Sequence, residues 1–127
     1  MTNELFQRGR RIRTEVLGEE RVKKALDGAD EFNRDFQQLL TEYCWGYCWG
    51  RTGLDRKQRS LLTLGMLAAL NRGPEFEMHV RGALTNGMTR DELQDALIQI
   101  AVYCGVPAGV EAFRSATKAL NESAQSR

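Results

Sequence analysis

Arg59 to His79, RSLLTLGMLAALNRGPEFEMH, is the stretch whose reading decides the fold. Its first part, Leu61 to Leu70, is apolar or small at every position except Thr63 and so has no polar face. A surface helix shows its apolar residues as a stripe at 3.6 spacing, whereas a helix apolar all round is buried on all sides. Ten residues are too few to span a bilayer, which takes about 20. The pattern predicts the central helix of a soluble core. Arg59 lies just before this apolar run and Arg72 just after it, and Pro74 opens the next helix, which carries the only histidine, His79.

Upstream of the run, Asp55 caps the central helix with Gln58 three residues on, a variant of the capping box, after the turn Arg51-Thr52-Gly53-Leu54. Before that turn, Asp30 to Gly50 reads as one long helix. Phe32, Phe36, Leu39, Leu40, Tyr43 and Tyr47 recur on it at helical spacing and predict a buried stripe. Trp45 and Trp49 share a second face, as do Cys44 and Cys48, around a glycine that permits close approach. Packing against a neighbouring helix or subunit accounts for Trp49 and Cys48, while the Tyr47 hydroxyl at the end of a buried stripe needs a hydrogen-bond partner. Further towards the N-terminus, Leu5 to Leu17 is a basic amphipathic helix with Arg8, Arg10, Arg11 and Arg13, stopped by Gly18. A short helix, Glu20 to Leu26, follows and ends at Asp27-Gly28.

Downstream, Asn71-Arg72-Gly73-Pro74 breaks into a helix from Pro74 to Asn86, ended by Gly87. Its core stripe is Phe76, Val80, Ala83 and Leu84. His79 sits at the border of that stripe, with Glu75 one turn before it on the same side. Thr89 and Glu92 form a capping box for Arg90 to Cys104, whose Leu93, Ala96, Leu97, Ile100 and Ala101 face inward. Gly105-Val106-Pro107 is a hard break, a last amphipathic helix runs from Ala108 to about Asn121, and residues 122–127 read as a disordered tail. No segment shows sustained strand alternation. The fold expected is all-α, one domain of six to seven helices over residues 1–127.

Composition narrows the function classes. With 127 residues the chain fits one domain able to bury about 65% of its unfolded surface, and 42% hydrophobic with 28% charged residues is an ordinary globular balance. A formal net charge of +1 provides no long-range field towards nucleic acid or an anionic membrane. Of the 18 basic residues 14 are arginine, the side chain that grips a carboxylate through two parallel hydrogen bonds. Surface ion pairs are the competing account of that bias. Three cysteines without framework spacing fit a reducing cytoplasm. The start, MTNELFQRGRR, has no apolar signal-peptide region. One histidine without a C-x-x-C pair gives no zinc set, and no glycine-rich phosphate motif implies a nucleotide cofactor.

Five segments, RTEVLGEERVKKAL, DEFNRDFQQLL, WGYCWGRTGLDRKQRSLLTL, HVRGALTNGMTRDEL and AVYCGVPAG, together resemble the 4-carboxymuconolactone decarboxylase family. The resemblance runs from about Arg8 to Ala116. It implies the all-helical fold shared with alkylhydroperoxidase D-like proteins, assembled as a ring-shaped homohexamer, with a homotrimer as the smaller alternative. It further implies a cofactor-free and metal-free decarboxylation of a small anionic carboxylate, 4-carboxymuconolactone, in the protocatechuate branch of the β-ketoadipate pathway. One position departs from the family pattern: Tyr47 stands where an acidic residue, most often glutamate, is usual. Cys48 and Thr52 also replace an aliphatic residue and a proline. The redox branch of the superfamily uses a C-x-x-C pair just before a histidine, and the matching positions here are Arg72 and Glu75, which argues against a thiol peroxidase.

In such a lactone the departing carboxylate is on the ring carbon γ to the lactone carbonyl, across a C=C bond. The substrate thus carries its own electron sink, and the protein must supply cations, a donor for the developing enolate oxygen and an acid for carbon. Arg51, Arg59 and Arg72 are candidate carboxylate clamps, although Arg72 is also favoured at a helix C-terminus by the dipole alone. His79 is the candidate acid or enolate donor, with Glu75 to orient it or merely to pair with it. Tyr47 is a candidate donor in place of the usual acid, with a reference pKa near ~10 against ~4 for glutamate. Trp45, Tyr103 and Cys104 complete the expected substrate-binding set. Two other functions compete: a paralogue performing enolate chemistry on a different carboxylated substrate, and a non-catalytic oligomeric binding protein whose arginines are interface ion pairs.

Overall fold

The structure is a computed structural model that describes residues 3–125. Among the described residues there are seven α-helices and one π-helical segment, and no strand. Within the chain two compact units are distinguished, residues 1–55 and 56–127.

The first unit holds α1 (Glu4–Leu17), α2 (Glu19–Asp27), α3 (Arg34–Leu40) and the π segment (Thr41–Cys48) that continues α3. Gly18, at φ 94°, makes the break between α1 and α2 in a region L side chains avoid. The long helix expected from Asp30 starts later, because Asp30 and Asn33 form a local turn instead. The Asp30 carboxylate accepts from the backbone of Phe32 at 2.9 Å and of Asn33 at 3.3 Å, and the Asn33 side chain accepts from the Asp30 backbone at 2.9 Å. At Thr41 the helix widens; the Trp49 amide reaches back five residues to the Cys44 carbonyl at 3.0 Å.

That widening accompanies a different burial pattern from the one the spacing predicts. Ile12, Val16, Trp45 and Trp49 form the apolar centre of this unit, the two indoles at a centroid separation of 4.9 Å. The expected buried stripe faces outward: Phe32 is 97% exposed, and Phe36, Leu39, Tyr43 and Tyr47 are exposed as well. Cys48, expected to pack, is exposed too. The physical reason is capacity. A unit of two full helices and two short segments can cover one face of the α3–π run, and the two indoles, with the most apolar area to hide, take it. Glycine makes the approach of α1 possible, since a Cβ on Gly46 would lie 2.6 Å from the Leu5 carbonyl oxygen and one on Gly9 would collide with the Thr41 carbonyl.

The second unit holds α4 (Arg56–Ala69), α5 (Gly73–Thr85), α6 (Arg90–Cys104) and α7 (Val106–Gln125). Its core joins Leu64 of α4, Phe76, Val80 and Ala83 of α5, Leu93, Leu97 and Ile100 of α6, and Ala112, Ala116 and Ala119 of α7. The Thr89–Glu92 capping box at the start of α6 is present in both directions, at 3.0 and 2.9 Å. Arg81 of α5 pairs with Glu77 at 2.8 Å and with Glu122 of α7. Helix α7 starts at Val106 with Pro107 in its first turn, where the missing N–H costs nothing, and runs past Asn121 to Gln125. Residues 126–127 of the expected tail lie outside the described residues.

The central helix departs most from expectation. On α4 only Ser60 and Leu64 are buried, while Leu61, Leu62 and Met66, and Leu70 just past its end, are exposed. Helices α5, α6 and α7 cover one side of it, and its other side is an apolar surface of this single chain.

Candidate active site

The first unit presents Tyr47 and Arg51. Tyr47 comes from the π segment and is 59% exposed. Arg51 follows the turn after it, its amide donating to the Cys48 carbonyl at 3.2 Å. Its guanidinium carbon lies 5.8 Å from the centroid of the Tyr47 ring, a cation–π contact. Tyr47 is thus an exposed side chain, where the stripe reading places it at a buried end. Trp45, four residues from Trp49, is an interior side chain packed with Ile12 and Val16.

The second unit presents His79. It is 8% exposed and lies beside the core residues Phe76, Val80 and Ala83 of α5, deeper than a border position. Burial pushes its pKa down to about 4, with Glu75 one turn away pulling weakly in the opposite sense. At neutral pH the imidazole is therefore uncharged. It can donate one hydrogen bond and accept another, but it holds almost no stock of acidic protons. Glu75 and Arg72 are exposed and Arg59 is half-buried. Arg72 borders a small cleft with Asn71, Phe76, Glu111 and Ser115, and Asn71 takes a left-handed φ of 61° to turn the chain there. A larger groove of about 280 Å³ between α6 and α7 is lined by Arg90, Leu93, Leu97, Phe113 and Leu120. His79 lines neither cavity. Tyr103 and Cys104, at the end of α6, are exposed.

Among the expected site residues, the structure joins Tyr47 with Arg51 and couples Glu75 to His79. One buried charged residue was passed over in the sequence. Arg13, read as part of the basic face of α1, is 8% exposed. It donates to the Gln37 side chain at 3.1 Å and to the Thr41 hydroxyl at 3.4 Å. Burial lowers its pKa, and the nearby Cys44 thiol opposes that shift. The signal was available: Gly9, Ile12, Arg13 and Val16 are the buried residues of α1, at i, i+3, i+4 and i+7. Among the described residues no group of three or more histidine, cysteine or acidic side chains is placed to hold a metal ion. No helix of these residues is long and apolar enough to cross a membrane.

Residues 34–118 match the model of the carboxymuconolactone decarboxylase family. The chain is 47% identical over 118 residues to the nitrosuccinic acid decarboxylase npaB of Metarhizium robertsii, an alignment covering 93% of this chain and 82% of the relative. It is 39% identical over 117 residues to the 4-carboxymuconolactone decarboxylase of Acinetobacter baylyi, covering 92% and 87%. The chain therefore belongs to the carboxymuconolactone decarboxylase family, within the alkylhydroperoxidase D-like superfamily, and is a carboxy-lyase of that family.

Proposed function

We propose that this protein is a cofactor-free decarboxylase of a small dicarboxylic acid whose own electron sink accepts the pair left by CO₂, and that nitrosuccinic acid is the substrate of choice. The supporting observation is His79, buried and uncharged at neutral pH in a unit that also carries Arg59 and Arg72. In an α-nitro acid the C–CO₂⁻ bond breaks, its electron pair forms a C=N bond, and negative charge moves onto a nitro oxygen. The resulting nitronate then takes a proton at carbon from water. In 4-carboxymuconolactone the same pair runs through the C=C bond onto the lactone oxygen. In both, charge develops on an oxygen that is not part of the departing carboxylate. A buried neutral imidazole suits this step because its N–H donates to an oxygen as that oxygen becomes anionic, in surroundings of low dielectric. The second carboxylate calls for a cation, the role proposed for Arg59 and Arg72, with Arg51 as the exposed cation of the first unit.

Tyr47 favours the nitro acid over the lactone. A phenol in place of a carboxylate removes like-charge repulsion from a nitronate, whose charge stays on the two oxygens next to the reacting carbon, whereas the lactone spreads its charge along the ring. The 39% identity to a 4-carboxymuconolactone decarboxylase supports the lactone, and the β-ketoadipate pathway with it, as the second reading. For assembly we propose a closed homo-oligomer, a hexamer before a trimer, working in a reducing cytoplasm; the exposed apolar faces of α3 and α4 support the first part.

Purified protein is to be assayed for CO₂ release from each acid, after exhaustive EDTA treatment and with no cofactor added. Turnover of nitrosuccinic acid above that of the lactone supports the proposal. Turnover of neither, or a strict requirement for one added metal, would overturn it.

A further inference from the structure

We infer that Arg13 is a positioning residue: through Gln37 and Thr41 it fixes the point where α3 widens into the π segment, and so fixes where Tyr47 and Arg51 are presented. The inference rests on the functional reading above for its consequence in turnover, and on the geometry alone for its structural claim.

Every link belongs to the first unit. Arg13 is buried, and its charge has two neutral acceptors, the Gln37 amide oxygen at 3.1 Å and the Thr41 hydroxyl at 3.4 Å. Its Nε has no hydrogen-bond partner among the described residues. A buried guanidinium without a carboxylate is costly, and an apolar side chain of similar volume would pack there at lower cost. Stability of the unit therefore does not account for it. What it does touch is specific. Thr41 is fully buried and is the first residue of the π segment; its hydroxyl donates to the Gln37 carbonyl at 2.6 Å, within the last turn of α3. Arg13 thus bridges the last α-helical turn and the first residue after it. Five residues earlier on α1, Arg8 donates to the Gly50 carbonyl at 2.5 Å, just past the other end of the segment. One helix grips the segment at both ends.

The register between those ends decides which side chains go in. With the wide turn in place Trp45 and Trp49 are interior and Tyr47 is exposed beside Arg51. A segment that relaxed to ordinary α-helix from Thr41 onward would turn farther per residue, and the indoles and Tyr47 would shift around the axis together. The two indole rings, 4.9 Å apart and inclined by 31°, report this register directly, because coupled indoles give an exciton couplet in circular dichroism.

The test uses the full-length protein with two separate variants, Arg13→Met and Thr41→Val. The first keeps most of the side-chain volume without the fork; the second keeps the shape of threonine without the hydroxyl. Both should retain helical content and cooperative melting. Both should lose the tryptophan couplet, and kcat on the preferred acid should fall about tenfold or more with a much smaller change in KM, as for a group misplaced at the reacting centre. Should Arg13→Met fail to fold, Thr41→Val carries the decision. A wild-type couplet with wild-type kcat in a folded variant would overturn the inference, as would a loss of activity in Thr41→Val matched by loss of folded protein. If wild type turned over neither acid, the functional reading would fall, and the couplet alone would decide the register claim: its persistence in Thr41→Val would overturn it.

Discussion

Arg51 holds its guanidinium carbon 5.8 Å from the centroid of the Tyr47 ring, on the exposed side of the π segment. An exposed cation–π contact is worth roughly 0.5–1 kcal/mol, enough to bias where a flexible arginine points. The pair thus presents a cation and a hydroxyl donor together. Tyr47→Phe keeps the ring and the contact and removes the hydroxyl alone. We expect it to lower kcat while KM stays near the wild-type value, whereas Arg51→Ala should raise KM. Steady-state kinetics on the preferred acid separates the two. A Tyr47→Phe variant as fast as wild type would show that only the ring is used.

His79→Gln should abolish most turnover and leave the fold in place. Glutamine keeps an N–H donor but on a longer, more mobile side chain, so the hydrogen bond to the developing oxyanion is poorly aimed. Losses from such groups are typically about 10²–10⁴ in rate, and the fall should be in kcat and kcat/KM alike. Near-normal kcat in a folded variant would make His79 a packing residue.

The buried imidazole also makes a stability prediction whose sign is fixed. Its pKa falls from 6.5 in the unfolded chain to about 4 in the folded one. Between those values the unfolded state binds more protons, so stability is full above pH 6.5 and declines as pH drops towards 4. The whole shift corresponds to about 3 kcal/mol, and about 2 kcal/mol of it is lost by pH 5. Urea unfolding at pH 7 and pH 5 should show this decline in wild type and not in His79→Leu. Equal slopes in the two proteins would show that His79 titrates normally. The same shift means that the acid limb of kcat/KM should not lie at pH 6.5.

Much of the fold was legible because the helix ends are written locally. Gly18, Gly87 and Gly105 all take positive φ at the predicted stops, and the Thr89–Glu92 box is a four-residue signal. Burial was less legible, because periodicity shows which residues share a face and not which face is covered. Phe32, Phe36, Leu39, Tyr43 and Tyr47 are all exposed, and Trp45 and Trp49 hold the interior of a helix that widens at Thr41. Nothing in TEYCWGYC announces an i→i−5 turn; the cause lies in α1, at Gly9 and Arg13, more than 25 residues earlier. For the candidate site, the lone histidine could be singled out from sequence by its chemistry alone. Its uncharged state could not, since that follows from burial.

The exposed apolar side chains Leu61, Leu62 and Met66 of α4, Leu70 just past it, and those of α3 predict assembly. Surfaces of this kind on a small chain mark contacts with other molecules, and identical subunits close most readily around a symmetry axis. Sedimentation should show a stable closed oligomer at micromolar concentration, and Leu62→Arg should shift it to smaller species by placing a charge in an apolar contact. A monomeric wild type would overturn this expectation.

Substrate preference turns on Tyr47 most sharply. A glutamate at that position supplies a carboxylate that exchanges a proton in the range where enzymes work, while a phenol keeps its proton and remains neutral unless strongly perturbed. For a lactone whose reaction uses a carboxylate as proton shuttle, the phenol is a poor substitute. For an α-nitro diacid it is an advantage, because the nitronate intermediate already concentrates charge and a carboxylate beside it would oppose that charge. Wild type should therefore show a higher kcat/KM for nitrosuccinic acid than for 4-carboxymuconolactone. Tyr47→Glu should move the ratio towards the lactone by raising activity on it and lowering activity on the nitro acid, with the fold unchanged because the side chain is exposed. The decisive measurement is kcat/KM for both proteins on both acids. A wild type already fast on the lactone, and slower after Tyr47→Glu, would show that this position does not set the preference.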